Sequence, residues 1–309
     1  MKPLRFGIIG MSEGNGHPYS WSAIFNGYDP KVMSECPFPV IPDYLSRRRF
    51  PEDAIPGAKV TEVWAQDRGQ AEHIARAARI ERVVDDFRDM IGRVDGVLLA
   101  RDDAENHFHF AAPFLAAGLP IYIDKPFALT LADARRLFER ERYPGQIFTC
   151  SALRYAREFQ LDAVARDELG EIRFVQGTVP KDWHRYAVHV VDPALSILGP
   201  VGAIVDSSSW RANGATVVNI RWESGLAATF SALGSAAAPI ALRFVGTKSH
   251  RDMAFNDSFA AFKAALQAFV RGIGTKCAEI PRQSVLDMVA VIEAGGQMQT
   301  STAMKSRAH

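Results

Sequence analysis

Residues 5–16 read RFGIIGMSEGNG, a short apolar run that ends in a glycine-rich segment. An apolar run of this length is typical of a strand buried in a parallel sheet. Glycines directly after such a strand let the backbone turn tightly and approach a phosphate group closely. The stretch therefore predicts the first strand and phosphate-binding turn of a dinucleotide-binding domain. The spacing departs from GxGxxG, and a plain glycine-rich turn is the alternative interpretation.

The alternation of strands and helices continues through the first half of the chain. Apolar strand-like segments lie at 59–65, 94–100 and 120–123, and segments with helical periodicity lie at 20–26, 70–78, 107–117 and 131–142. Strands that alternate with helices predict a parallel sheet with right-handed crossovers. Residues 28–58 hold six prolines and little periodicity, so we expect an insertion in the first crossover.

The second half of the chain has a different pattern of predicted elements. Strand-like segments follow one another at 172–179, 202–208, 216–222, 227–233 and 240–245, and helical segments lie at 193–198, 259–272 and 284–294. Successive strands with few helices between them predict a large open, mostly antiparallel sheet. The expected fold is an α/β Rossmann domain (1–124) followed by an α+β domain (125–309) for substrate binding and oligomerisation. Residues 300–309 are expected to form a loose tail.

Composition limits the classes of partner. The 309 residues carry a formal net charge of +1 and are 48% hydrophobic, which is ordinary for a folded soluble protein. With a net charge this small, we expect no overall electrostatic attraction of the protein to nucleic acid or to a membrane surface. The three cysteines lie far apart, as expected in a reducing cytoplasm, and they argue against a zinc site. No apolar run is long enough for a signal peptide or a membrane span, so we predict a cytoplasmic protein.

Asp67 follows the second predicted strand, where an acidic residue binds the hydroxyls of an adenine ribose. Gly10, Ser12 and Asn15 occupy the three fingerprint positions that would contact the pyrophosphate. A helix N-cap is a second role for Asp67 and is compatible with ribose binding. These residues predict NAD or NADP as cofactor, and a carboxylate at Asp67 favours NAD because it repels a 2′-phosphate.

Lys125 lies in the segment Asp124-Lys125-Pro126, directly after a predicted strand. The carboxyl ends of parallel strands face the crevice in which α/β proteins bind ligands. Lys125 is therefore a candidate active-site cation, and a solvated surface lysine is the alternative.

His189 and Asp192 are three residues apart, and Arg185 precedes His189 by one helical turn. Histidine titrates near neutral pH, so it is suited to carry the proton of an alcohol that is oxidised. The alternative is a core histidine bonded to Asp192. No third ligand accompanies these groups, and we expect no metal site.

These segments, in this order, resemble the glucose–fructose oxidoreductase/inositol dehydrogenase (Gfo/Idh/MocA) family over nearly the whole chain. AGLPIYIDKP at residues 117–126 is similar to the family's AGxxVxxEKP segment, with aspartate in place of glutamate. His107 stands where the family has a histidine that opens the preceding helix. Arg154 and the HVVD segment at 189–192 follow in the family's order. Arg185 departs from the aspartate that many members have at this position.

The resemblance implies a function and a set of roles. It implies NAD or NADP in the first domain, with His107 and Lys125 beside the cofactor. Lys125 and His189 would be the catalytic residues, one bonding the reacting hydroxyl and the other carrying its proton. The resemblance also places substrate-binding candidates in the second domain: Arg154, Arg185 and Asp192.

The leading hypothesis is an NAD(P)-dependent oxidoreductase that acts on the CH–OH group of a sugar, cyclitol or sugar-derived substrate. An alternative is a family member that uses bound NAD for glycosidic cleavage or epimerisation without net redox change. A catalytically degenerate sensor or scaffold is the non-enzyme alternative. The expected partners are a small-molecule substrate and further copies of this chain, as a homodimer or homotetramer, with no nucleic acid and no membrane.

Overall fold

The structure, a computed structural model, describes residues 2–296. In these residues the chain forms two six-stranded sheets. The first sheet has the order β3-β2-β1-β4-β5-β6 and is parallel throughout. Its strands are β1 (Leu4–Ile9), β2 (Ala58–Trp64), β3 (Arg82–Val83), β4 (Gly96–Leu99), β5 (Ile121–Ile123) and β6 (Ile147–Phe148).

Helices connect these strands and cover the sheet. They are α1 (His17–Asn26), α2 (Pro30–Met33), α3 (Val40–Ser46), α4 (Arg68–Ala77), α5 (His107–Ala116) and α6 (Leu131–Phe138). Strand side chains such as Phe6, Ile8 and Val97 are fully buried between the layers. Because all strands run the same way, the segments after β1, β4 and β5 meet at one edge of the sheet.

The predicted insertion in the first crossover contains α2 and α3. Tyr44 of α3 donates a hydrogen bond to Ser20 of α1 over 2.5 Å. Arg48, just after α3, donates two hydrogen bonds of 2.7 and 2.8 Å to Asp257 in the second half of the chain. The insertion is therefore fixed to the body of the molecule at both of these points.

The second sheet has the order β12-β11-β7-β10-β9-β8. Its pairs are antiparallel except β7 with β10, which are parallel. The strands are β7 (Ile172–Val179), β8 (Ile204–Ala212), β9 (Ala215–Trp222), β10 (Ala227–Ala232), β11 (Ala241–Gly246) and β12 (His250–Ala254). The helices of this half are α7 (Ala163–Leu169), α8 (Trp183–Tyr186), α9 (Val188–Leu198), α10 (Ser258–Thr275) and α11 (Arg282–Gly296). The predicted fold class, a Rossmann sheet followed by an open, mostly antiparallel sheet, is confirmed.

Several element boundaries differ from the prediction. The strands β3 and β6 have two residues each, too few to show a pattern in the sequence. The strand β12 was also not predicted. Helix α9 begins at Val188, five residues before the predicted start at Pro193, and contains that proline in its interior. Helix α6 ends at Phe138 instead of residue 142. The tail predicted at 300–309 lies outside the described residues.

The predicted domain boundary after residue 124 stays a prediction. We propose that the first domain extends to residue 150, because β6 pairs with β5 in the first sheet. Helix α10 also packs against the first sheet, although it lies in the second half of the chain. The ring of its Phe269 lies 5.5 Å from the ring of Phe6 and 5.8 Å from that of Tyr122, both on the first sheet.

Candidate active site

Lys125 follows β5, and its side chain is buried with only 7% exposed. Its ammonium nitrogen lies 3.4 Å from Oδ2 of Asp102, which follows the neighbouring strand β4. The other carboxylate oxygen of Asp102 accepts a 2.6 Å hydrogen bond from the Ser12 hydroxyl, after β1. Three adjacent strands thus deliver a hydroxyl, a carboxylate and an ammonium group to one connected array.

Asp124 is the second buried carboxylate at this edge of the sheet. Its Oδ2 accepts a 2.9 Å hydrogen bond from the Asn15 amide and lies 2.5 Å from Nδ1 of His17. Its Oδ1 accepts from the backbone N–H of Lys125 over 2.7 Å. Burial opposes ionisation, but the interactions of Asp124 with His17, Lys125 and Asn15 outweigh it and hold the pKa of Asp124 below its usual value. Asp124 is thus an anion that fixes the glycine-rich segment to the end of β5.

His189 lies in the first turn of α9, and its Nδ1 is 2.9 Å from the hydroxyl oxygen of Ser151. Burial lowers the pKa of His189 well below its usual value, and the charge of Lys125 lowers it further. His189 is therefore neutral around pH 7, the state in which an imidazole accepts a proton.

Asp192 and Arg154 form a buried ion pair with 2.5 Å between Arg154 Nη1 and Asp192 Oδ1. The other carboxylate oxygen accepts from the Ser151 backbone N–H over 2.8 Å. Burial raises the pKa of Asp192, although Arg154 and the Ser151 N–H oppose this rise. The alternative of a direct bond between His189 and Asp192 is not what the structure has, because Ser151 lies between them.

A cleft of about 280 Å³ lies where these groups meet. Its polar lining includes Lys125, His189, Asp102, His17, Lys181 and Tyr186. Its apolar lining includes Phe38 and Ile41 of the insertion, Leu153, Ile240, Phe255 and Phe262. The insertion therefore supplies one wall of the cleft. Arg154, Arg185 and Asp192, the predicted substrate-binding residues, are not among the residues that line it.

Arg185 lies beside the glycine-rich segment instead. Its Nη1 donates a 3.3 Å hydrogen bond to the carbonyl oxygen of Glu13. The ammonium of Lys181 bonds the hydroxyl of Tyr186 and lies 4.4 Å from the centre of its ring, and the Lys125 ammonium lies 5.9 Å from the same centre. The segment 181–186 therefore brings two further cations to the rim of the site.

The glycine-rich segment has the features of a phosphate-binding turn. In residues 2–296, the backbone N–H groups of Glu13, Gly14 and Gly16 donate no hydrogen bond to the protein. Gly14 has φ +78 and open space where a Cβ would lie. Unpaired amides before a helix, as here before α1, are suited to bind an anion. The segment fits the pyrophosphate of a dinucleotide.

The three residues predicted to contact the pyrophosphate are Gly10, Ser12 and Asn15, and their surroundings limit which of their groups a cofactor can reach. Gly10 packs so tightly on Pro18 that an added Cβ would lie 2.4 Å from its Cγ. The side chains of Ser12 and Asn15 are bonded to Asp102 and Asp124, so they shape the turn. The Asn15 backbone N–H also donates to the Ser12 carbonyl over 3.2 Å, which leaves the backbone N–H of Ser12 for a cofactor.

Asp67 and His107 stay predictions as cofactor residues. Asp67 is exposed and caps α4, accepting a 2.7 Å hydrogen bond from the Gln70 N–H, so the two roles weighed for it remain compatible. His107 is fully buried, with its ring nitrogens 2.8 Å from the Arg101 carbonyl and 3.0 Å from that of Phe127. Both nitrogens are thus engaged by backbone carbonyls, which favours a positioning role for His107 beneath the segment that carries Lys125.

The sequence reasoning missed Asp102, Gln66 and Arg101. Gln66 exchanges two hydrogen bonds of 3.0 and 2.8 Å with the backbone of Met11. Arg101 donates to the Met11 carbonyl over 2.9 Å. The signal that could have found Asp102 is its place after β4, since the ends of neighbouring parallel strands lie side by side.

Part of the chain matches a known protein family. Residues 42–151 match the model GFO_IDH_MocA, described as an oxidoreductase family with an NAD-binding Rossmann fold. The predicted resemblance to the Gfo/Idh/MocA family is confirmed. The matched part of the chain contains β2 to β6, including Asp67, His107 and Lys125.

The inositol 2-dehydrogenase of Acidothermus cellulolyticus is 34% identical to this chain over 96 residues. The aligned part is 30% of this chain and 28% of that enzyme, so the match spans less than a third of the relative.

Solved structures share the fold over almost the whole chain. The myo-inositol 2-dehydrogenase of Lactobacillus plantarum has a TM-score of 0.73 at 16% identity, covering 96% of this chain and 97% of that one. The scyllo-inositol dehydrogenase of Lactobacillus casei, with bound NAD(H) and scyllo-inositol, has a TM-score of 0.72 at 14% identity and the same coverage. The biliverdin reductase of Synechocystis sp. PCC 6803, with biliverdin and NADP+, has a TM-score of 0.70 at 14% identity, covering 96% and 98%. Identities this low show the fold alone.

Among residues 2–296 no helix combines the length and the hydropathy needed to cross a membrane. In the same residues no group of three or more His, Cys, Asp or Glu side chains is arranged to hold a metal ion. The cytoplasmic location stays a prediction.

Proposed function

We propose that this protein is an NAD(P)-dependent oxidoreductase that transfers a hydride between a nicotinamide and an alcohol carbon of a sugar, cyclitol or sugar-derived substrate. The observation that carries the proposal is that Lys125 and His189 line one cleft beside the glycine-rich turn at residues 10–16. These two groups come from different halves of the chain, and their meeting in one cleft supports a role for both in alcohol oxidation.

Lys125 and His189 have different roles at the reacting hydroxyl. The bound nicotinamide supplies the hydride acceptor, and the protein supplies position and charge. The Lys125 ammonium donates a hydrogen bond to the substrate oxygen and stabilises negative charge that develops there. His189 accepts the hydroxyl proton. Ser151 engages its Nδ1, which leaves Nε2 for the substrate.

The lining of the cleft supports a ring-shaped polyol as substrate. Lys125, His17, His189 and Tyr186 offer hydrogen-bonding groups to hydroxyls. Phe38, Phe255 and Phe262 offer apolar surface on which the C–H face of a sugar or cyclitol ring can pack. Arg154 and Asp192 bond one another and hold Ser151, so we assign them to positioning His189. Arg185 bonds the Glu13 carbonyl and lies outside the lining of the cleft, which supports a role beside the cofactor.

A cofactor titration and a substrate screen test this function. NADH should bind, with quenching of tryptophan fluorescence, and saturation at about 100 times Kd should stabilise the fold by about 2.7 kcal/mol. The substrate screen follows NADH formation with myo-inositol, scyllo-inositol, glucose and gluconate. Binding without turnover of any alcohol would support the degenerate scaffold, and no binding at millimolar concentration would refute the proposal.

The surroundings of Asp67 predict a preference for NAD over NADP of at least tenfold in Kd. The neighbouring Arg68, the nearest candidate to hold a 2′-phosphate, is already bonded to Glu72 at 3.0 Å and to Asp85. Its charge is thus neutralised, and Asp67 repels the phosphate. Calorimetric titration with both cofactors measures the ratio.

The matched variants are Asp67→Ser and Asp29→Ser. Serine retains the capping role of both residues, which cap α4 and α2, and removes only the charge. The NAD preference should fall about tenfold in Asp67→Ser, equivalent to about 1.4 kcal/mol, and stay unchanged in Asp29→Ser. An unchanged ratio in Asp67→Ser would exclude the ribose contact.

We also propose that the protein assembles through the outer face of its second sheet. This face carries the partly exposed apolar residues Phe174, Val217 and Val245 among polar ones. An open sheet with such a face is suited to pair with a second copy of itself. Light scattering should give a multiple of 34.0 kDa, and Val217→Glu should lower the mass to that of one chain. The exposed Val164→Glu on α7 is the control, and a wild-type monomer would refute the proposal.

A further inference from the structure

His17 is the first residue of α1, and its ring is held by a buried carboxylate. The Nδ1 atom of His17 lies 2.5 Å from Oδ2 of Asp124, and the Asp124 side chain is 2% exposed. The backbone N–H of His17 donates to the Asn15 side-chain oxygen over 2.8 Å, and the amide of Asn15 donates to the same Asp124 oxygen. The backbone and the ring of His17 are thus tied to one small network.

Aromatic side chains fix the plane of the His17 ring. Trp21 stacks on it with 5.0 Å between ring centres, and Phe262 of α10 contacts it edge-on at 4.9 Å. Because Nδ1 faces Asp124, the ring can present only its Nε2 atom to another group. In residues 2–296 that nitrogen has no hydrogen-bond partner, and His17 lines the cleft that holds Lys125 and His189.

This arrangement is the one by which a carboxylate orients a histidine for proton transfer. A hydrogen bond from Nδ1–H to the carboxylate selects the tautomer in which Nε2 accepts a proton, and the carboxylate then stabilises the imidazolium that forms. His189, held by the neutral hydroxyl of Ser151, lacks such a counter-ion. The cleft therefore contains two histidines with different electrostatic support.

We propose that His17, oriented by Asp124, is a second general acid–base residue of the cleft, which exchanges a proton with a substrate group other than the hydroxyl that is oxidised. The inference rests on the proposed function, and it adds a proton transfer that turnover requires besides the one at the oxidised hydroxyl, which Lys125 and His189 perform. In the step at His17, the bond from the substrate atom to its hydrogen breaks and an N–H bond forms at Nε2. The Asp124 carboxylate balances the new positive charge. In the reverse step the same proton returns.

A chemical test of His17 does not depend on knowing the substrate. Diethyl pyrocarbonate acylates accessible neutral imidazole nitrogens, and mass spectrometry of the His17 peptide measures the rate at this position. We expect modification of His17 in the wild-type protein and a rate at least severalfold higher in Asp124→Asn, because the carboxylate favours the protonated ring, which does not react. An unmodified His17 in protein whose exposed His109 reacts would overturn the proposal.

A kinetic test uses the alcohol with the highest NAD reduction rate in the screen. His17→Gln keeps a donor toward Asp124 and removes proton transfer, so kcat should fall by about 10²-fold with an unchanged Kd for NADH. His109→Gln, outside the cleft, is the matched control and should retain wild-type kcat. Unchanged kcat in His17→Gln, or a tenfold weaker Kd for NADH with normal kcat at saturation, would overturn the proposal. If no alcohol is turned over, the proposed function fails, and the acylation test decides on His17 alone.

Discussion

Replacement of Lys125 by methionine is expected to lower kcat by about 10²-fold or more. Methionine keeps the length of the side chain and removes the ammonium that we propose to bond the reacting oxygen. NADH binding should change much less, because the amides of the turn at residues 10–16, and not Lys125, would hold the pyrophosphate. Steady-state kinetics on a substrate from the screen, together with NADH titration, measures both effects.

The variant also leaves Asp102 buried without its cation, so loss of fold must be separated from loss of chemistry. The side chain of Asp102 is 7% exposed, and Lys125 is its cationic partner at 3.4 Å. The double variant Lys125→Met with Asp102→Asn removes both charges and should melt near the wild-type temperature, while kcat stays low. Full activity in Lys125→Met would leave the family resemblance as a likeness of fold and favour the scaffold hypothesis.

His189→Asn provides a second measure of the same site. We expect a smaller loss of kcat than in Lys125→Met, with partial recovery at high pH, where hydroxide and buffer bases replace the imidazole. In the wild-type protein the lowered pKa of His189 keeps it a proton acceptor as the pH falls below 6.5, so the acidic limb of its pH profile should lie below that value.

Replacement of Arg154 by methionine is expected to lower the free energy of unfolding by about 3–5 kcal/mol at pH 7. Its partner Asp192 is 4% exposed, and the variant would leave that carboxylate buried with only the Ser151 N–H as a donor. A buried charge that loses its partner costs more than the pair contributed. Urea denaturation of the variant and of the wild-type protein measures the difference.

Arg173→Met is the matched control for this loss. Arg173 pairs with Glu171 at 2.7 Å, but both side chains are about two-thirds exposed, at 64% and 66%. Exposed pairs contribute about 0–1 kcal/mol, so this variant should be nearly neutral. The double variant Arg154→Met with Asp192→Asn should recover part of the lost stability. A loss below about 1 kcal/mol in Arg154→Met would show that Asp192 does not depend on its arginine.

The course of the main elements could be predicted because each is encoded locally. The run at residues 5–9 is apolar enough to predict β1, and the glycine-rich segment after it predicts the turn before α1. Alternation of the same kind predicts β2, β4 and β5 within two residues of their observed ends. The two-residue strands β3 and β6 could not be found this way, because their pairing is decided by the neighbouring strand.

The sequence by itself placed Lys125 after a strand and His189 before Asp192, since both positions depend on segments of a few residues. Only the tertiary structure decided their partners. His17 meets Asp124 across 107 positions of the chain, and Ser12 meets Asp102 across 90. The pairing of Asp192 with Arg154 and the closure of the cleft by the insertion were also decided at that level. The physical reason is that such contacts arise from the order of strands in the sheet and the packing of distant helices, which no local pattern of residues specifies.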